Sequence, residues 1–352
     1  MVGSGEGGEE PFQRNTVAFG VADLIPLRLA GFDPGLSFRL SQRVPLHYSD
    51  GADESLDRPP HVRAGSSLAW VGERLALIQD DANFLALVDP VTAAVESITL
   101  PAGKGGVRQF DDLRGNKKQK LDLEACVTVD GGATFLAFGS GSSERREKVL
   151  VVRGIGSGAA DVQLVELSAL YRLLRSAPGF APGRLNIEGV VQVGDWLRCF
   201  SRGNGKERDG VTPVNATCDL PLDDLLRHLA ETDRVPPPVP RNVTQYELGD
   251  LDAVPLGFTD ATVVGSEVVY SAAAEASPDA VDDGAVTGSA LGVIDPHGRV
   301  RWAPLKDERG ALFAGKVEGV VTAGAGKGFY VVLDADDPTL PSELCLVEAT
   351  GL

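Results

Sequence analysis

Short apolar runs separated by turn-forming Gly, Asp and Asn dominate the chain, and one unit of them recurs. The unit is an apolar strand carrying an acidic residue before Ala or Gly, then a tight turn, then a second strand that ends in polar residues. It reads SSLAWVGERLALIQDD from Ser66, LDLEACVTVDGGATFLAFGSGS from Leu121 and LNIEGVVQVGDWLRCFSRGN from Leu185. It returns as GFTDATVVGSEVVYSAAAE from Gly257 and GKVEGVVTAGAGKGFYVVLDADD from Gly315. Aligned this way, Leu68, Glu124, Glu188, Asp260 and Glu318 form one column with successive spacings of 56, 64, 72 and 58 residues. A strand unit repeating at that period is the signature of a propeller or a related array.

Each unit has room for two further strands, for example FLALVD from Phe84 and VESITL from Val95. The expected fold is therefore an all-β propeller of five blades. In the alternative, residues 16–60 form a degenerate sixth. The last unit supplies one strand too few, and Asp23–Ala30, in the segment DLIPLRLAG from Asp23, is expected to close it, which would remove an exposed sheet edge. The expected domain organisation is a disordered tail over 1–15 and a single propeller over 16–352. Two segments break the pattern. SALYRLLRS places Leu167, Leu170, Tyr171 and Leu174 at helical spacing, and DLPLDDLLRHLAET does so with Leu222, Leu225, Leu226 and Leu229, with Asp219 as its expected N-cap. Both read as short helical insertions.

Composition narrows the partners. A net charge of −17 repels phosphate backbones and anionic lipid, so neither nucleic acid nor membrane is an expected partner. The four cysteines are dispersed and sit mostly in apolar strands, which suggests buried thiols and no disulfide. The polar start MVGSGEGGEEPFQRN lacks a signal-peptide core, and the expectation is a soluble, cytoplasmic monomer.

In a propeller the first strand of each blade lines the central channel, and the second returns to the same face. The acidic column, and the column of Ser66, Asp122, Asn186, Phe258 and Lys316 two residues earlier, should therefore share a face with the polar second-strand ends. Those ends are QDDAN, GSGSSERRE, SRGNGKERDG, AAAEASPDAVDDG and DADDP. Carboxylates this crowded raise one another's pKa unless protonated, paired with cations or bound to a hard ion. Oxygen-rich, histidine-poor surroundings favour Ca²⁺ or Mg²⁺, with Glu124, Glu188, Asp260 and Glu318 as the expected ligands. The plainer reading is that the acids bond neighbouring blades and hold the ring shut. Expected ligand-binding residues are Ser140, Ser142, Arg145, Asn186, Arg202, Asn204, Glu275, Asp283, Lys316, Asp334 and Asp336.

Other motifs carry less. GSGEGG at Gly3 precedes no helix, and GIGSGAA at Gly154 lies between two strands as a hairpin turn. His47, His61, His228 and His297 are dispersed, which leaves a Ser–His–Asp mechanism without support. Ser140, Ser142 and Ser143 instead suggest hydroxyls and backbone N–H groups offered to an anion.

NIEG at Asn186 with SRGN, and KVEG at Lys316 with DADDP, resemble the repeated EG motifs of the phytase-like and esterase-like propellers. The ordered set GSGSSERRE, NIEG, SRGN, GFTDA, SAAAE, DDG, KVEG and DADDP more closely resembles an uncharacterised bacterial propeller family related to that group, over roughly residues 65–350. In the phytase-like relatives, channel-face carboxylates hold calcium ions that bind substrate phosphate. By motif, that resemblance implicates Glu188 and Glu318 directly, and Glu124 and Asp260 by their place in the repeat. The chain departs from those phytases in its blade number, in lacking a signal peptide and in carrying Leu68 in the acidic column.

The expected function is metal-assisted hydrolysis of a small anionic ester or phosphoester at the channel face, with Arg145, Arg202 and Lys316 steadying the anion and Glu188 as general base. The alternative is a non-catalytic propeller that binds a small ligand or a protein with the same face.

Overall fold

The computed structural model describes residues 24–203, 207, 210–276, 284–324 and 328–352. Strand pairing in these residues groups into five antiparallel meanders. The first blade is Gly65–Val71, Arg74–Gln79, Phe84–Val88 and Val95–Thr99. The second is Leu123–Val129, Thr134–Gly139, Lys148–Arg153 and Asp161–Glu166. Ile187–Val193, Trp196–Ser201, Asn215–Pro221 and Arg241–Glu247 make the third. Val254–Val264, Glu267–Glu275, Val286–Ile294 and Val300–Lys306 make the fourth. The fifth joins Lys316–Thr322, Phe329–Asp334 and Glu343–Thr350 to Ser37–Pro45 from the other end of the chain. The first strand of each blade neighbours that of the next, and the fifth neighbours the first, so the ring closes around a channel.

Local sequence explains the hairpins. In the first, third and fourth blades the first two strands are joined by Gly72-Glu73, Gly194-Asp195 and Gly265-Ser266, whose glycines have φ of 61°, 58° and 61°. Glycine at the first central position is what a two-residue hairpin of the matching twist requires. The second strands are buried almost throughout, and apolar faces of adjacent blades pack together, as where Phe258 meets Phe200, Tyr246 and Tyr270 edge-on.

The ring is closed by an N-terminal strand, but not by Asp23–Ala30. Leu24, Leu27 and Leu29 are exposed, and Leu27–Leu29 pairs in parallel with Arg241–Glu247 on the outer edge of the third blade. The closing strand is Ser37–Pro45, in which buried Phe38 and Leu40 alternate with exposed Arg39 and Ser41. That alternation suits a half-buried outer strand better than the more apolar segment before it. Gly31–Phe32 adds in parallel to the fourth blade, so residues 24–60 are spread over existing sheets and form none of their own.

Two α-helices, Ser168–Ser176 and Leu222–Ala230, lie where the periodicity placed them and bury Leu170, Tyr171 and Leu174, and Leu222, Leu225 and Leu229. Asp219 is not a cap. It lies in the preceding strand and accepts hydrogen bonds from Arg198 Nε at 2.8 Å and Asn242 Nδ2 at 3.0 Å, and the helix begins after Pro221. All four cysteines are buried and free, and the turn at Gly154 joins two strands of the second blade. The motif at Gly3 lies outside the described residues.

A chain beginning at residue 34 keeps the closing strand and should still unfold in one transition. A chain beginning at residue 46 loses the buried Leu36, Phe38 and Leu40 and bares the edge of Glu343–Thr350, so it should aggregate or melt more than about 10 °C lower. Matching thermal melts of the two truncations would refute this closure.

Candidate functional site

Every first strand carries an irregularity at the same place. Its pairing with the second strand skips one residue: Ser66, Glu124, Glu188, Thr259 and Glu318 in turn. Such a bulge leaves one residue out of the ladder and re-aims its side chain. The bulge, not the sequence alignment, defines the true column. Leu68 gives way to Ser66 and Asp260 to Thr259, while Glu124, Glu188 and Glu318 keep their places. Two residues before each bulge stand Ala64, Asp122, Asn186, Gly257 and Lys316; opposite them on the second strands stand Asp80, Ser140, Arg202, Ala273 and Asp334. Ser66 and Phe258 therefore do not belong to this row, and Phe258 is instead the centre of an aromatic cluster.

The charged members gather in two groups. In one, Arg202 donates to Glu275 at 2.8 Å and lies 3.6 Å from Glu188, while Asn186 Nδ2 donates to Glu188 Oε1 at 2.5 Å. Lys316 joins the same group, 2.8 Å from Glu318 and 3.4 Å from Glu275. In the other, Lys120 Nζ lies between Asp80 at 2.5 Å and Asp122 at 2.8 Å, and Arg146 reaches the far oxygen of Asp122 at 2.8 Å. Asp122 is held in the left-handed backbone region at φ 59°. Beside this second group, Arg63 bonds Asp81, Asp111 and Gln109.

Burial and like charge decide the protonation. Burial, opposed by Arg202 but reinforced by Glu318, pushes the Glu188 carboxyl up to about 8. Burial together with Asp122, Asp80 and Glu188 raises Glu124 well above the carboxylate range, and burial with Asp336, Asp80 and Glu318 does the same to Asp334. Burial also raises Glu318 despite Lys316. Asp122 goes the other way: burial works against its charge, but Lys120 and Arg146 hold it below the usual range. Asp81, buried and beside Asp80, is lifted to about 6.

Oxygens of Asp80, Asp122 and Glu124 lie within 4.8 Å of one another. That is the widest separation two ligands can have around one ion bound at about 2.4 Å, so the three fit a hard divalent cation. Glu124 makes no hydrogen bond or ion pair among the described residues. Of the four ligands expected from the sequence, only Glu124 belongs to this trio. Glu188 and Glu318 sit in the Arg202–Lys316 group. Asp260 lies apart, fully buried, where its Oδ2 accepts from Ser67 Oγ at 3.0 Å and from the Val320 N–H at 2.9 Å.

Other expected residues fall as follows. Asn186, Arg202, Glu275, Lys316 and Asp334 are together at the mouth, with exposed Asp336 near Asp334 and Glu318. Arg145 is exposed, because the short turn Glu144–Arg146 points the next residue, Arg146, at Asp122. Ser140 and Ser142 are buried and bond inward: Ser140 donates to Asp122, and Ser142 accepts from Arg146 at 2.7 Å, so neither hydroxyl is presented to an anion. Asn204 and Asp283 lie outside the described residues. Sequence reasoning missed Asp80, Lys120 and Arg146 as site residues. The QDD run and the LDLE motif were the available signals for Asp80 and for the Asp122 that it meets. The histidines are apart from the site, although His47 and His61 do meet edge to face across a bridge, with ring centroids 6.3 Å apart.

The chain is a member of the family described as a family of unknown function (DUF6929), whose model matches residues 61–348. No curated protein matches the chain in sequence. Among solved structures it is similar to the glutaminyl cyclase of Myxococcus xanthus, at 11% identity and a TM-score of 0.44 over 93% of this chain and 98% of that one. It is also similar to an auxiliary nutrient binding protein from Bacteroides thetaiotaomicron, at 9% identity and 0.44 over 87% and 76%. A third is the Pan2 WD40 domain of Neurospora crassa, at 10% and 0.36 over 80% and 74%. A fold by itself does not assign an activity.

The raised Glu188 carboxyl has a measurable consequence. Its folded pKa of about 8 lies above the unfolded value of about 4.3, so the stability it contributes is fully present below the unfolded value and is lost as pH rises through 8. Glu188→Gln should flatten this loss, and the variant should melt above the wild type at pH 9 while matching it at pH 5. Identical pH profiles in urea denaturation would show that Glu188 is not held protonated.

Proposed function

We propose that the chain is a metal-assisted hydrolase of a small ester, working at the channel mouth. What carries this reading is the unpartnered Glu124 carboxylate set beside Asp80 and Asp122 within the span of one ion. Three oxygen donors without histidine or cysteine suit Ca²⁺ or Mg²⁺. An ion held there supplies a polarising charge for an ester oxygen and lowers the pKa of a bound water.

The chain's own residues supply the rest. Glu188 is protonated at neutral pH by its burial, so it serves as the proton donor to a leaving group, a role opposite to the general base suggested by sequence. Asn186 fixes the orientation of that carboxyl through Oε1. Arg202 and Lys316 position Glu188, Glu275 and Glu318; each is already bonded to carboxylate, which favours an uncharged ester over a phosphoester. A purely ligand-binding propeller is the second reading, favoured by the same pairing of Arg202 and Lys316 with carboxylates.

In a melt with EDTA and then added Ca²⁺, the wild type should gain stability with the ion, because a ligand of the folded state stabilises it by mass action. Glu124→Gln should abolish that gain, and without metal should melt close to the wild type, since burial beside Asp122 and Asp80 already disfavours the charged form of Glu124. Turnover of aryl and alkyl esters in Ca²⁺, absent in both Glu124→Gln and Glu188→Gln, would establish hydrolysis. Calcium binding with no turnover on esters or phosphoesters would leave the binding reading.

A further inference from the structure

The proposed ion ligands are not without a cation, because the chain provides one. Lys120 is buried, and its Nζ bridges Asp80 Oδ2 and Asp122 Oδ1 at 2.5 and 2.8 Å, on two of the three residues that fit an ion. Resting on the metal reading above, we infer that Lys120 is a tethered counter-cation that occupies the ion position and that a divalent cation must displace to bind.

Three features support this. The first is where Lys120 comes from. It belongs to no strand: it follows the short turn Lys117–Gln119 in the connection between the first and second blades, anchored by its N–H to Lys117 O at 3.2 Å. Asp122 and Glu124 stand on or beside a strand of the ring, so the ammonium can leave on its flexible stem while the ligands stay.

The second is charge balance. Lys120 and Arg146 together match the charges of Asp80 and Asp122, and nothing of theirs is left over for Glu124. A divalent ion in place of the ammonium, with Arg146 remaining on the far oxygen of Asp122 at 2.8 Å, matches all three groups once Glu124 is ionised as well.

The third is coordination. The ammonium spends two of its three donors on Asp80 and Asp122 and makes no bond to Glu124. A calcium-sized ion accepts six to eight oxygens and gathers all three carboxylates. The lysine thus stabilises the empty site and weakens the ion's hold on it, since a group tethered beside its carboxylates competes at high effective concentration.

The test measures calcium binding, not turnover. Full-length wild type, Lys120→Met, Lys120→Gln and Lys120→Arg are titrated with CaCl₂ by calorimetry and by thermal melting after EDTA treatment. Lys120→Met should melt below the wild type in EDTA, regain stability in Ca²⁺, and bind the ion at least about ten-fold more tightly. Lys120→Gln should change in the same direction and guards against a Met variant that does not fold. Lys120→Arg keeps a competing cation and should stay close to the wild type. Equal calcium affinity in the wild type and the two neutral variants would overturn the displacement while leaving the metal site standing. No calcium binding by any of the four proteins would overturn the metal reading and this inference with it.

Discussion

A single buried carboxyl ties the ring across its channel. Asp260 stands on the first strand of the fourth blade, and its Oδ2 accepts from Ser67 of the first blade and from the Val320 N–H of the fifth. Ser67 Oγ in turn accepts from the Cys126 N–H of the second blade at 3.2 Å. Four of the five meanders therefore meet within one carboxyl and one hydroxyl. Burial raises the Asp260 pKa well above the carboxylate range, which favours the neutral form of the tie inside the channel. Its position follows from the bulges. Ser67 and Asp260 each come directly after a bulge residue, and the equivalent positions in the second, third and fifth blades are Ala125, Gly189 and Gly319. A Cβ on Gly189 would lie 3.2 Å from the Ala261 nitrogen, and one on Gly319 would lie 2.6 Å from Leu68. Small residues are thus required wherever the carboxyl and its neighbours fill the space.

With the channel closed at that level, the charges are confined to the mouth above it. The bulge that lets Asp260 reach across is repeated in every blade, and in three of them it delivers a glutamate to the mouth. The fold consequently concentrates acids in a place where burial makes their ionisation costly. It offsets part of that cost with Arg63, Lys120, Arg146, Arg202 and Lys316, each bonded to at least one carboxylate. Glu124 and Asp334 gain no such cation among the described residues. A structural role would be served as well by an apolar ring, since replacing buried ion pairs by packed hydrophobic groups is often neutral or stabilising. Persistently raised carboxyls at a single face are the pattern expected where chemistry or binding sets the composition.

The repeat made the architecture legible before any coordinates, because strand–turn–strand units with a Gly-led hairpin leave a period in the sequence. The two helices were equally legible from their apolar spacing. The site was legible only to within two residues. A bulge inserts one position and reverses the two-residue alternation downstream, so an alignment on acidic residues drew Asp260 and Leu68 into a column that belongs to Thr259 and Ser66. Arg145 and Arg146 are indistinguishable in sequence, and only the turn they occupy sends the second inward. The closing strand was mistaken because Asp23–Ala30 is the more hydrophobic segment, whereas an outer strand needs alternation. Lys120 left no signal at all: its role depends on where an irregular connection happens to run.

The repeated scaffold also explains why the mouth is asymmetric. The bulge position is nearly uniform around the ring, but the facing second-strand residue varies among the blades: Asp80, Ser140, Arg202, Ala273 and Asp334. In the fourth blade both facing positions are small, and Arg202 fills the vacated sector; a Cβ on Gly257 would lie 3.1 Å from its Nε. This leaves a wall of acids from the fifth through the second blade, by way of Asp334, Asp80 and Asp122, and a guanidinium and an ammonium on the opposite side. Five equivalent positions with one residue type would give only a symmetric ring of like charge. Varying the second strand while keeping the bulge separates an oxygen-rich corner suited to a cation from a corner where Glu188 is kept protonated. One scaffold thereby sets two carboxyl environments side by side, which is the arrangement that general acid chemistry next to a bound ion requires.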